Sequence, residues 1–135
     1  MRVAEIPFVE LVGIKENEHG LWLDMDASLL NHIGTLHASA QFTLAESESG
    51  RYLQKLFPEL EGEVVPLLRE STSKYKKPAS KSVSALASLE DGERERFLTQ
   101  FSKRGRGSIK VSVEVVDSDG ICTMEATFSW FVQKI

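Results

Sequence analysis

Asn31-His32-Ile33-Gly34-Thr35-Leu36-His37-Ala38-Ser39-Ala40-Gln41-Phe42-Thr43-Leu44-Ala45-Glu46-Ser47-Glu48-Ser49-Gly50 reads as a loop that feeds a helix. From Leu36 onward no Pro or Gly interrupts until Gly50, and Ala38, Phe42, Ala45, Ser49, Leu53 and Leu56 recur at a spacing of three and four, which suits one buried helical face. The helix should run to about Phe57, where Pro58 stops it. Stepping by three, four and seven puts Glu46 in a row with Ser39, Phe42, Ser49, Gly50 and Leu53. Glu48 falls in a row with Gln41, Leu44, Arg51 and Lys55, which reads as solvated. A carboxylate on the packed side of a helix is costly to desolvate unless something uses or pairs it, so Glu46 is the site candidate and Glu48 is expected to be ordinary surface.

Strand signals lie on both sides of this helix. Phe8 to Ile14 alternates loosely and reads as a strand, Asn17-Glu18-His19-Gly20 as a turn, and Leu21, Leu23 and Met25 as its returning partner. After the helix, Val64 to Lys77 is long enough for one extended, bulged strand with Pro66 at an edge or irregular start. Val83 to Leu89 alternates with period two, Asp91 to Phe101 carries Phe97, Leu98 and Phe101 at helical spacing, and Ile109 to Val115 and Cys122 to Val132 form a long hairpin about Asp117-Ser118-Asp119-Gly120. Two strands, one long helix and four strands make an α+β order, with the helix covering one face of an antiparallel sheet of about six strands. No repeat, linker or low-complexity tract divides residues 1–135, so one domain is expected.

The segment Asn31-His-Ile-Gly-Thr-Leu-His37, followed by Phe42-Thr-Leu44-Ala45-Glu46, resembles the active-site segment of hotdog-fold thioesterases of the phenylacetate and hydroxybenzoyl-CoA types. Tyr75-Lys-Lys-Pro-Ala79 resembles that superfamily's Tyr-x-x-Pro-Ala strand. One departure is plain: Ala38-Ser39 stands where those enzymes carry Gly-Gly, as in an uncharacterised hotdog group. The resemblance implies a hotdog fold and hydrolysis of an acyl thioester, most naturally an acyl-CoA, with CoA as part of the substrate and no separate cofactor or metal. It also implies sites built at a subunit interface, hence a homodimer or dimer of dimers. In that scheme Glu46 attacks the carbonyl or serves as general base on water, and Asn31 positions the carbonyl or the water. His37 orients the loop or contacts the thioester, and Ala38 N–H joins the helix dipole in stabilising the oxyanion, with Ser39 and Phe42 beside the substrate.

Composition narrows the alternatives. With 41% hydrophobic and 27% charged residues and a net charge of −4, the chain suits a globular domain and lacks the cationic surplus of a general nucleic-acid binder. No apolar run approaches a membrane span of about 20 residues. The lone Cys122 and a start without a signal-peptide core favour a cytoplasmic protein. His19, His32 and His37 do not make a metal set. Basic residues gather at Lys74, Lys76, Lys77 and Lys81 and again at Lys103, Arg104, Arg106 and Lys110. This cluster, with Lys103, Arg104 and Arg106 foremost, is a candidate for the CoA phosphates, set against a plain solvated surface. Three readings stand: an acyl-CoA thioesterase, a catalytically weak hotdog module that binds acyl-CoA or another acyl ligand, and a structural dimer module.

Overall fold

A computed structural model describes all of residues 1–135. A 3-10 turn at Val3–Glu5 leads into a short helix, α1, at Pro7–Val12. This corrects the expected strand from Phe8 to Ile14. Pro7 occupies the first helical turn, where its missing N–H costs nothing, and Gly13, at φ 93°, closes the helix by donating to Val9 and Glu10 carbonyls. Ile6, Val9 and Val12, three apart, are the residues that pack inward, while Phe8 and Leu11 are exposed. The first strand is therefore only β1, Lys15–Asn17. It turns through Asn17, whose side-chain oxygen accepts from His19 and Gly20 N–H, into β2, Gly20–Leu23.

The central helix, α2, spans Ala38–Leu56 and ends just before Pro58, as its pattern indicates. Then come β3 (Val64–Tyr75), β4 (Val83–Ser88), α3 (Glu93–Arg104), β5 (Arg106–Asp117) and β6 (Cys122–Lys134). Strand pairing is antiparallel throughout, in the order β1-β2-β4-β5-β6-β3. β3 is thus an edge strand, which tolerates Pro66, and its register slips between Leu68 and Glu70. Alternation decides which side of the sheet is covered: Ile109, Val111, Val113 and Val115 of β5 and Met124, Ala126 and Phe128 of β6 point inward and are buried. α2 packs on that face against β2, β4, β5 and β6, and α3 closes the lower end where Phe97 lies 5.3 Å from Phe57, ring centre to ring centre. A long helix wrapped by one antiparallel sheet of six strands is the hotdog fold.

Candidate active site

The loop before α2 is held by backbone and by one side chain. Asn31 Oδ1 accepts from Ile33 N–H (3.1 Å) and Thr35 N–H (3.0 Å), and its Nδ2 donates to Thr35 Oγ1 (2.9 Å). The side chain is therefore engaged in closing its own turn. The turn delivers Leu36, whose N–H donates to Ala79 O at 2.8 Å, and His37, whose N–H donates to Leu29 O at 2.8 Å. The Tyr75–Ala79 segment thus docks against the loop that starts the helix. His37 is the N-cap, its Nδ1 accepting from Ser39 N–H at 3.0 Å. Ala38 N–H, at the first position of a 19-residue helix, has no acceptor in the chain, and the residue is exposed at the helix's positive end. Ser39 is exposed, and Phe42 turns inward to meet Phe128 edge-on at 5.5 Å, so Phe42 is a packing residue in this chain.

Glu46 lies two turns further on, half-buried, with no cation or hydrogen-bond donor against its carboxylate; burial pushes its pKa above the ordinary carboxylate value. It lines a mainly apolar cavity of about 470 Å³, floored by α2 and walled by Trp130 and Val132 of β6. The turn that carries it is tied to the sheet. Ser49 Oγ donates to Glu46 O at 2.6 Å, and Trp130 Nε1 donates to Ser49 Oγ at 2.9 Å.

The expectation for Glu48 is overturned. It is 4% exposed and Arg51 8%, and Gln41 and Leu44 of the same row are buried as well. That row faces the sheet: Gln41 meets Thr123 of β6 at 2.7 Å, and Glu48 accepts from Leu21 N–H of β2 at 3.2 Å. Arg51 compensates the charge at 3.4 Å and reaches Glu16 at 3.0 Å. Gly20 opposes this carboxylate at φ 145°, and a Cβ there would meet Glu48 Oε1 at 3.4 Å, so glycine suits both the backbone and the space.

The basic residues fall into two groups. Lys76 N–H donates to Thr123 O and Leu36 pairs with Ala79, which puts Lys74, Lys76, Lys77 and Lys81 near the start of α2. Arg106 sits opposite Gln133 at the far end of β6, with Lys103 and Arg104 just before it, exposed. Within one chain, Lys103, Arg104 and Arg106 stand a strand's length from His37 and Ala38. In the nearer group Lys76 pairs with Glu125 and Lys81 with Asp119, leaving Lys74 and Lys77 without ion pairs.

Motif spacing did not mark Gly50 or Trp130 as lining the cavity beside Glu46. Gly50 alone left a signal, because a glycine inside a helix works against helix stability.

The chain matches the model of a domain of unknown function, DUF4442, over residues 8–132. The chain belongs to the DUF4442 family. No functionally curated protein matches it. Among solved structures, a Pseudomonas aeruginosa protein, PA5026, described as of unknown function and "Probable Thioesterase", is 26% identical with a TM-score of 0.77, over 98% of this chain and 91% of that one. BH2602 of Bacillus halodurans, solved with CoA, is 20% identical with a TM-score of 0.71, over 93% and 74%. The thioesterase SAV0944 of Staphylococcus aureus, in a mutant form, is 15% identical with a TM-score of 0.72, over 94% and 98%. This DUF4442 chain is thus a hotdog-fold member of the thioesterase superfamily. None of its helices is long and apolar enough to cross a membrane.

Proposed function

We propose that the protein hydrolyses acyl thioesters, with acyl-CoAs as the substrate class. The observation that carries this is Glu46: an unpaired, half-buried carboxylate at an apolar cavity, on the central helix of a hotdog fold. Such a group is poised to attack a carbonyl or to take a proton from water, and its partner must stabilise the negative charge that develops on the carbonyl oxygen. Ala38 N–H has that chemistry but lies about 12 Å from Glu46 along α2, at about 1.5 Å per residue. No single carbonyl reaches both. A homodimer, with α2 of one copy running against α2 of the next, resolves this by presenting Glu46 to the other copy's helix start. The exposed edge of β3, carrying Val65 and Leu67, supports such an assembly. His37 and Asn31 then act as positioning residues that shape the helix start. Lys74 and Lys77 stand near that start as candidates for the CoA phosphates, and a cytoplasmic location goes with a CoA substrate.

One observation favours a second reading, a binding module with weak turnover. The Cβ atoms of Ala38 and Ser39 occupy the place where related active sites have Gly-Gly, which narrows the approach to the helix start. Hydrolysis assays over short, medium, long and aromatic acyl-CoAs, in wild type and Glu46→Gln, separate the two. The enzyme reading expects turnover that falls about a hundredfold or more in the variant. Binding of acyl-CoA with no turnover in wild type establishes the module instead.

A further inference from the structure

The cavity beside Glu46 has a direction and a length. Its floor follows one stripe of α2 through Glu46, Gly50 and Leu53 to Phe57 just past the helix end, and from Glu46 to Phe57 is about 16 Å at about 1.5 Å per residue. Phe57, against Phe97, lies at the far end with Leu60 and Val64 beside it, and Trp130 and Val132 form the side wall. Val3, Ile6, Phe8 and Val9 make the roof. Midway, Gly50 supplies floor without a side chain, and a Cβ there would already touch Trp130 Cζ2 at 3.5 Å. Any side chain longer than a methyl group must enter the passage or displace Trp130. A glycine inside a helix is locally unfavourable, so its presence where the helix faces Trp130 across the cavity has a use in leaving that space open.

We propose that this channel holds the unbranched aliphatic chain of the acyl group, with the thioester at Glu46 and the methyl end against Phe57, and that Gly50 sets the chain length admitted. With carbon–carbon bonds of about 1.5 Å in staggered torsions, a chain advances about 1.25 Å per carbon, so the channel takes about a dozen carbons. Its volume of about 470 Å³ is in the range of small-molecule sites. The placement of the thioester rests on the hydrolase reading; the affinity of the channel for a straight chain does not.

The test uses neutral probes, because a fatty acid would set a second carboxylate beside Glu46. Calorimetric titration of the wild-type protein with butanol, hexanol, octanol and decanol, and with benzyl alcohol as an aromatic probe, reads the channel without catalysis. Each buried methylene strengthens binding by about fourfold, so the gain from hexanol to decanol should exceed tenfold, with benzyl alcohol weaker than octanol. Gly50→Leu should lower decanol affinity tenfold or more relative to butanol, and Gly50→Ala should shift the ratio the same way by less. In parallel, kcat/KM on butanoyl-, octanoyl- and dodecanoyl-CoA should follow the same ranking. Chain-dependent alcohol binding without hydrolysis supports the channel and removes the hydrolase reading. Hydrolysis with no chain-length preference and no chain-dependent binding overturns the channel and leaves the hydrolase reading in place. Should Gly50→Leu fail to fold, the wild-type series and Gly50→Ala still decide.

Discussion

The Arg51 guanidinium lies 3.4 Å from the Glu48 carboxylate one turn before it on α2, and both side chains are enclosed between helix and sheet. Removing one partner of such a pair costs more than the pair contributes, because a charge is left in the interior. Here Arg51 keeps Glu16 at 3.0 Å, but Leu21 N–H loses its acceptor. Glu48→Ala should therefore lower the unfolding free energy by on the order of 3 kcal/mol in urea titrations. Glu48→Gln, which still offers Leu21 an oxygen, should cost less. A loss within the scatter of surface substitutions would mean that the pair does not hold β2 to the helix.

Glu46 should behave in the opposite sense. Burial raises its pKa, so the folded state binds the proton more tightly than the unfolded chain does, and stability falls as pH rises through that interval. Glu46→Gln removes the penalty of an enclosed charge. Its melting temperature should exceed that of the wild type at neutral pH, and the gap should close as pH drops into the ordinary carboxylate range. A gap that stays constant with pH would show that the carboxylate is solvated.

The assembly is tested by a pair of variants. Ala38→Pro removes the free N–H at a helix position where proline is tolerated, after a His37 whose extended backbone (φ −61°, ψ 140°) already suits a following proline. Light scattering should show a dimer or a dimer of dimers for the wild type at micromolar concentration. Glu46→Gln and Ala38→Pro should each be inactive, yet a subunit-exchanged mixture should recover about a quarter of wild-type activity, since half of the dimers are mixed and each of those has one intact site. No recovery in mixed dimers would place both groups of a site on one chain.

Replacing Lys74 and Lys77 by Ala should weaken CoA binding and flatten its dependence on salt. The matching change at Lys103, Arg104 and Arg106 should do less, because those residues stand at the other end of β6. Calorimetric titration at two ionic strengths decides the order. A larger loss from the second set would bring that end of the sheet to the phosphates.

What could be read from the chain depended on whether an element has one buried side or several. β5 and β6 are covered on one face, so the alternation of Ile109, Val111, Val113 and Val115 and of Met124, Ala126 and Phe128 marked their inward-facing residues directly. α2 is enclosed by the sheet on one flank and by the N-terminal segment on another, so charged and apolar rows are both buried and the polarity of a row no longer marks solvent. Glu48 and Arg51 were misplaced for that reason. α1 was misread because six residues carry too few apolar positions to separate a period of two from one of three and a half, and Pro7 and Gly13 were the better signals. The motif placed Asn31 and His37 ahead of the long helix and Glu46 within it, where the structure has them. It could not show that Asn31 is occupied within its own turn, nor that the two basic groups lie at opposite ends of the sheet, because both depend on strand register.

The roof of the channel comes from the first dozen residues, whereas its floor is the same helix that carries Glu46. The two surfaces are therefore free to change on different terms. Substitutions on the floor are constrained by the register of Glu46, Gly50 and the helix start, while the roof is carried by a separate stretch of chain. Exchanging residues 1–12 would reshape one wall of the cavity while Glu46, Gly50 and the helix start stay in place, so this short segment is a practical handle for testing which chains the cavity admits.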